Sequence, residues 1–358
     1  FNEKEDNKFI KNNYIEANLD KKFTDSDQKD IIIIANKADN LELELNSNEF
    51  YELGLKNSQI IPISSISGSG TGELLDLVVK KIKPEIIFHL AAQPLIFESY
   101  KKPKDTYEIN ALGTLNLLES CRQNKSLKSL ICVTSDKCYE SNYSLKGFKE
   151  TDKLGGKDPY SGSKACAEII TKTYAESFFQ NSQVGIATAR AGNVIGGGDW
   201  SDNRLIPDAV RSIKRKKTIV IRNPKFNRPW QHVLEPLRGY LILAKKQYSD
   251  PKRYSDAWNF GTKNNSVKSV KEIVDYMIEF WGSGKINYNK NIKFYEQKNL
   301  QLDIKKAKKN LKWYPTYSVK KGVQITTEWY RDVYKEKKDP YKVTTKQIIG
   351  YMDENNWS

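Results

Sequence analysis

The chain has 358 residues, with 59 lysines and arginines against 44 aspartates and glutamates, a net charge of +15 and 38% hydrophobic residues. That length and apolar content suit one large α/β unit or two domains of roughly 150 residues, and they exclude a disordered chain. No apolar run approaches the roughly 18 residues of a membrane span. Four cysteines without a CxxC pair and two histidines supply neither a disulfide frame nor a zinc cluster, so a soluble, cytoplasmic protein without metal is expected.

The charge changes sign along the chain. Residues 1–83 carry 11 basic and 15 acidic side chains, net −4, whereas residues 84–358 carry net +19. Such an asymmetry marks a candidate boundary near Pro84. The excess is scattered lysine with no aromatic-interleaved basic stripe, which argues against a nucleic-acid partner.

In chain order, residues 1–29 form a polar lead-in without periodicity. Ile31 to Ala35 is a β-branched run suited to a strand buried on both faces. A short helix is predicted over Asn48 to Leu53 and a strand over Gln59 to Ile63. A loop follows with Gly68, Gly70 and Gly72, then a helix over Glu73 to Ile82 and a buried strand over Ile86 to Leu90. The alternation continues with a helix at Thr106 to Gln123, a strand at Ser129 to Thr134, a helix at Ser161 to Phe179 and a strand at Val184 to Arg190. Beyond Gly196 the pattern loosens, with a short strand at Trp258 to Gly261 and helices at Val267 to Trp281 and Val319 to Tyr334. No internal repeat is present. The expected fold is α/β, a doubly wound, Rossmann-like parallel sheet with a smaller C-terminal substrate lobe and atypical N-terminal strands. Its ligand is expected at the carboxyl ends of the strands.

Tyr160 and Lys164 stand four residues apart at the start of a long predicted helix. One turn puts both on the same face, where the ammonium would lower the phenol pKa and let Tyr160 act as acid or base near neutral pH. Alone, that spacing is equally that of an exposed pair. Its context is more specific: the strand ending at Thr134 delivers Ser135, Asp136 and Lys137 to the same edge of the sheet. The strand over Ile86 to Leu90 ends in Ala91, Ala92 and Gln93, small enough in part for a flat cofactor to approach the backbone.

The strand-end His89-Leu90-Ala91-Ala92, the serine and the YxxxK pair occur in the order of the extended short-chain dehydrogenase/reductase family, which this chain resembles. Three further stretches, Thr134 to Tyr139, Gly192 to Trp200 and Arg228 to Val233, narrow the resemblance to the CDP-glucose 4,6-dehydratases. The match runs from about Pro84 to the C-terminus. It implies an NAD-dependent internal redox cycle on a nucleotide-sugar: oxidation at carbon 4, loss of water across carbons 5 and 6, and hydride return to carbon 6. Tyr160 would be the base, Ser135 would bond the 4-oxygen, Lys164 would hold the nicotinamide ribose, and Asp136 and Lys137 would manage the elimination. Ala91, Ala92 and Gln93, with Tyr160 and Lys164, would contact the cofactor. Asn193, Arg204 and Arg228 would bind the substrate diphosphate. Gly196 to Gly198 permit a tight turn near the ligand, and His89 and His232 read as structural. Epimerisation at carbon 4, the alternative within the family, needs no elimination pair. A homodimer would pair the helices at Thr106 to Gln123 and Ser161 to Phe179.

Ahead of that match there is no GxxGxxG turn for a cofactor pyrophosphate. Instead Asn36-Lys37-Ala38-Asp39 and Ser64 to Gly70, with Glu49 to Gly54 between them, resemble the end of the first G domain of Der (EngA) GTPases. No GxxxxGK[ST] accompanies them, which excludes GTP hydrolysis. The chain reads as a join near Lys80 to Pro84. Its expected domains are the lead-in at 1–29, a partial G-domain segment at 30–83, the rest of a dinucleotide-binding domain at 84–192 and a substrate lobe at 193–358.

Overall fold

A computed structural model describes residues 31–36, 58–63, 71–140, 147–263, 267–288 and 300–357. The lead-in at 1–29, the helix predicted over Asn48 to Leu53 and the loop Gly68 to Gly70 lie outside the described residues, as do all the G-domain-like motif residues except Asn36. The chain divides into two compact units, 1–65 and 66–358. In the first, β1 (Ile31–Asn36) pairs in parallel with β2 (Ser58–Ile63), Ile31 opposite Ser58 through Asn36 opposite Ile63. The predicted β-branched run is therefore a strand.

The second unit begins with α1 (Thr71–Ile82), which packs on α4 (Gly113–Cys121) through Leu75 and Val79 against Leu117 and Leu118. This helix belongs to the larger unit, so the boundary lies between Ser65 and Ile66 and not at Pro84. Charge does not locate it, because α1 carries two acidic and two basic side chains and leaves the balance on either side nearly unchanged.

The central sheet of this unit is parallel throughout. Its strand order is β10 (Ala257–Phe260), β5 (Gly185–Ala191), β4 (Ser129–Val133) and β3 (Ile86–His89). Alternate residues of β4 enter different cores. Leu130 and Cys132 join Leu117, Leu118, Ile186 and Phe179, whereas Ile131 joins Ala187, Ala189, Tyr240, Leu243, Trp258 and Trp313. Burial on both faces is why Ser129 to Val133 reads as one unbroken apolar run. β3 departs from its predicted burial. It pairs with β4 alone among the described residues, and Ile86 and Leu90 are 41% and 56% exposed, since an outer strand lacks a neighbour on one side.

The helix predicted over Thr106 to Gln123 is segmented into α3 (Pro103–Tyr107), a π-helical turn at Glu108–Leu112 and α4. The next helix, α5 (Pro159–Tyr174), starts where Asp158 accepts a hydrogen bond from the Ser161 amide at 2.9 Å and Pro159 fills the first turn. A third cluster forms the C-terminal lobe. Ile206 and Val210 of α6 (Leu205–Lys214), Ile219 of β7 (Ile219–Ile221), Val274 and Met277 of a helix at Val270–Trp281, and Val323 of a helix at Val319–Tyr334 pack together there.

Candidate active site

The site is built where β4 and β5 end. After Val133 the chain turns sharply through Asp136–Cys138, and extended Ser135 caps the turn by accepting the Lys137 amide proton at 3.2 Å. Asp136 is thereby driven inward until only 2% of it is exposed. Its Oδ1 accepts from the Ser135 hydroxyl at 3.2 Å, and its Oδ2 has no partner. Gly192 makes room for it, because a Cβ at that position would stand 2.0 Å from Oδ2. Burial raises the Asp136 pKa, against the opposing pull of Lys137, Ser135 and Arg228.

Helix α5 presents Tyr160, Lys164 and Glu168 on one buried face, the i, i+4, i+8 spacing of adjacent turns. Tyr160 and Ser135 line the same cavity wall, which brings the two predicted residues into one group. The predicted depression of the phenol is reversed. Burial pushes it up to about 12, with Ser135 and Arg204 pulling the other way. Lys164 donates to the Val133 carbonyl at 3.1 Å, and burial brings its ammonium down to about 8. In this state desolvation outweighs charge pairing for both groups.

Beyond β3, the Gln93 amide donates to Asn110 Oδ1 at 2.8 Å, and Asn110 Nδ2 donates to the Gln93 carbonyl at 3.1 Å and to Ser163 Oγ at 2.9 Å. One asparagine thus ties the loop after β3 to α5. Ala91 is exposed and Ala92 half-buried beside it. His89 contacts Thr114 Oγ1 at 3.2 Å and His232 is buried; burial brings both imidazoles down to about 4, so they are neutral near pH 7. Both fit the structural reading.

A cavity of about 780 Å³ opens in front of these residues. Ser135, Asp136, Lys137 and Tyr160 line it together with Asn193, Arg204 and Arg228, so seven predicted site residues meet in one wall. Lys164, Ala91, Ala92 and Gln93 are not in that wall, which begins on this side at Pro94. Asn193 adopts a left-handed backbone at φ 45° and keeps a buried, unpartnered Oδ1. Arg228 is buried and donates to the Asn227 carbonyl at 3.0 Å, while Arg204 is partly exposed and pairs with Asp199 at 3.3 Å. Gly197 lies against the Trp329 ring, where a Cβ would come within 2.1 Å. Among the described residues no group of three His, Cys, Asp or Glu side chains could hold a metal ion, and no helix is long and apolar enough to cross a membrane.

Three residues of this region escaped the sequence reading: Asn110, Glu168 and Arg190. Glu168 carried a visible signal, a charged residue one turn beyond Lys164 on a face that also holds Ala165 and Ala167.

A parallel sheet whose strand-end serine meets a Tyr-x-x-x-Lys helix at a large polar cavity defines an extended short-chain dehydrogenase/reductase. More narrowly, the family model described as GDP-mannose 4,6 dehydratase matches residues 71–326, and the chain belongs to that family. The match starts at the first residue of α1, in accord with the unit boundary. The chain is 38% identical over 306 residues to a CDP-glucose 4,6-dehydratase of Salmonella typhimurium, covering 82% of this chain and 85% of that one. It is 24% identical to a UDP-glucose 4-epimerase of Mycoplasma pneumoniae, covering 72% and 79%. Among solved structures, a Thermotoga maritima UDP-glucose 4-epimerase with UDP-glucose superposes with a TM-score of 0.66 at 20% identity, covering 85% of this chain and 99% of that one. A Bacillus anthracis dTDP-glucose 4,6-dehydratase in complex with NAD superposes with a TM-score of 0.62 at 22% identity, covering 86% and 98%.

Proposed function

We propose that the chain dehydrates CDP-glucose to CDP-4-keto-6-deoxyglucose with NAD as an internally recycled cofactor. The observation that carries this reading is Asp136: a buried carboxyl with a raised pKa and an unpartnered oxygen, in the same cavity wall as Tyr160 and Lys137. A buried carboxyl whose pKa is raised by desolvation holds its proton more tightly than an exposed one, which suits the protonation of a departing 6-hydroxyl. Epimerisation has no use for it, and the 38% identity to a CDP-glucose 4,6-dehydratase points the same way.

The residues divide the work by position. Tyr160 takes the proton of the 4-hydroxyl as its phenolate, a form that burial disfavours and that has to be regained when the site is filled, while Ser135 in the same cavity wall orients the oxygen. Asp136 delivers its proton to the 6-hydroxyl as it leaves, and Lys137, once its ammonium has shed a proton, takes the proton from carbon 5. Asn193 and the guanidinium groups of Arg204 and Arg228 hold the anionic diphosphate.

The nicotinamide end of NAD fits what is present. Lys164 spends one proton on Val133 and has two more to donate to a ribose, and Ala91 and Ala92 leave the strand end open. When bound, NAD supplies hydride acceptance at carbon 4 and hydride return at carbon 6. The pyrophosphate end finds no glycine-rich turn ahead of β3 among the described residues, where Gly72 sits in the first turn of α1. Isothermal titration with NAD tests the fit directly, and no detectable binding overturns the reading. Incubation with CDP-glucose and NAD, followed by NMR of the sugar, is expected to give the 4-keto product; turnover of dTDP-glucose and not CDP-glucose overturns the substrate.

A homodimer through α4 and α5 accompanies this reading. Leu112, Ile169 and Phe178 are exposed apolar side chains on these two elements and the turns that flank them, and such a pairing would cover them. Light scattering of Ile169→Glu is expected to show monomer where the parent shows dimer.

A further inference from the structure

Behind the cavity wall lies a buried polar hub that the proposed chemistry does not use. Glu168 is 2% exposed and both its oxygens accept hydrogen bonds. Oε1 takes the Thr134 hydroxyl and Arg190 Nε at 2.9 Å; Oε2 takes Thr188 Oγ1 at 2.7 Å and Arg190 Nη2 at 2.6 Å. Arg190 also donates to the Tyr139 hydroxyl at 2.7 Å, which donates to Asn259 Oδ1 at 2.7 Å. The hub joins α5, β4, β5 and β10. With four donors and no lone pair wasted, it is a carboxylate whose geometry is fixed.

Two features make it more than a structural clasp. Thr134 immediately precedes Ser135, so the Glu168 bond sets where β4 releases the chain into the site. Glu168 also lies one turn from Lys164 on the same helix face. We infer that Glu168 is a positioning residue, which fixes the helix face that carries Lys164 and locks Ser135 in register with Tyr160.

The charges around Lys164 support this. His89 on the β3 side is neutral near pH 7, Cys132 of β4 is pushed up to about 12 and Cys138 is raised well above its ordinary value, all by burial. Among the described residues facing Lys164, Glu168 is the carboxyl group, and its charge partner on the far side is Arg190 at 2.6 Å. Removal of Glu168 lowers the Lys164 pKa further and shifts the loss of ammonium to lower pH.

The inference rests on the proposed roles of Ser135, Tyr160 and Lys164, but its first test does not need turnover. In full-length protein with 13C-labelled lysine, the Lys164 signal, assigned by its disappearance in Lys164→Arg, is expected to titrate about one pH unit lower in Glu168→Gln and near the parent value in Glu168→Asp. In the enzyme assay Glu168→Gln is expected to lose about tenfold or more in kcat with little change in KM, and its alkaline limb moves down in pH with the Lys164 titration. Glu168→Gln leaves Arg190 buried without its partner and can unfold. The double variant Glu168→Gln/Arg190→Gln removes both charges and keeps the fold testable by its melting temperature. A folded double variant with parental Lys164 titration and parental kcat overturns the inference, as does an unmoved Lys164 signal in Glu168→Gln. Absence of dehydration in the parent protein, with the Lys164 coupling intact, overturns the functional reading and leaves the coupling standing.

Discussion

The two inner and outer strands of the same sheet half, β4 and β3, are built to different standards. β4 has Leu130 and Ile131 fully buried on opposite faces, and the loop it releases is locked by Ser135, Asp136 and the Glu168 hub. Ile86 of β3 and Leu90 just after it stand half in solvent, and the loop that follows is held by Asn110 from one side. The strand that delivers the proton-transfer residues is over-determined, whereas the strand that leads to the expected cofactor contacts is an outer strand.

The sharpest blow to this contrast falls on the phenol. Tyr160→Phe is expected to lower kcat by about 1000-fold or more with the melting temperature almost unchanged, because it removes one buried hydroxyl and no packing. Retained activity removes the proposed base. Gly192→Ala drives a methyl into Asp136 Oδ2 and is expected to cost about 100-fold in kcat, with a smaller loss in stability of about 1–3 kcal/mol. Parental kcat in that variant means that Asp136 does not have to sit where it does.

Stability separates the strands next. Leu130→Ala is expected to cost about 3 kcal/mol in urea unfolding and Leu90→Ala about 0.5 kcal/mol or less. Equal costs would show β3 covered in solution. A further effect is in pH. His89 and His232 have folded pKa values of about 4 against 6.5 for the free side chain, so the unfolded chain binds protons first. The stability they leave intact above pH 6.5 declines as pH falls toward 4, by about 1 kcal/mol per histidine at pH 5.5. Replacing His232 by glutamine is expected to flatten that slope in thermal melts between pH 7 and 5; an unchanged slope assigns the acid sensitivity elsewhere.

Much of the site was legible because its spacing is local. Tyr160 and Lys164 are one helical turn apart, and Ser135 to Lys137 follow a strand that burial on both faces makes unmistakable. The segments past Gly196 were harder to read. α6 carries Ile206, Val210 and Ile213 at helical spacing, but its core partners Ile219, Val274 and Val323 come from distant segments. Two further helices, Leu234–Ser249 and Pro340–Glu354, went unread. The second has Tyr351 as its only buried residue, anchored by Glu235 of the first, and the first buries Glu235, Gly239 and Gln247 while Leu241 is exposed, so residue type does not mark its inner face.

The sequence by itself determined the parallel α/β fold, the family resemblance and the set of residues that converge on the cavity, since each of these is written in periodicities and short motifs. Tertiary structure decided the rest. It placed α1 in the larger unit through contacts with α4, which composition does not record. It raised the Tyr160 phenol and lowered the Lys164 ammonium, because desolvation depends on what surrounds a group and not on its neighbours in the chain. It also made Glu168 a hub, by bringing Thr134, Thr188 and Arg190 from two strands to one helix face where an uncompensated charge would be prohibitive.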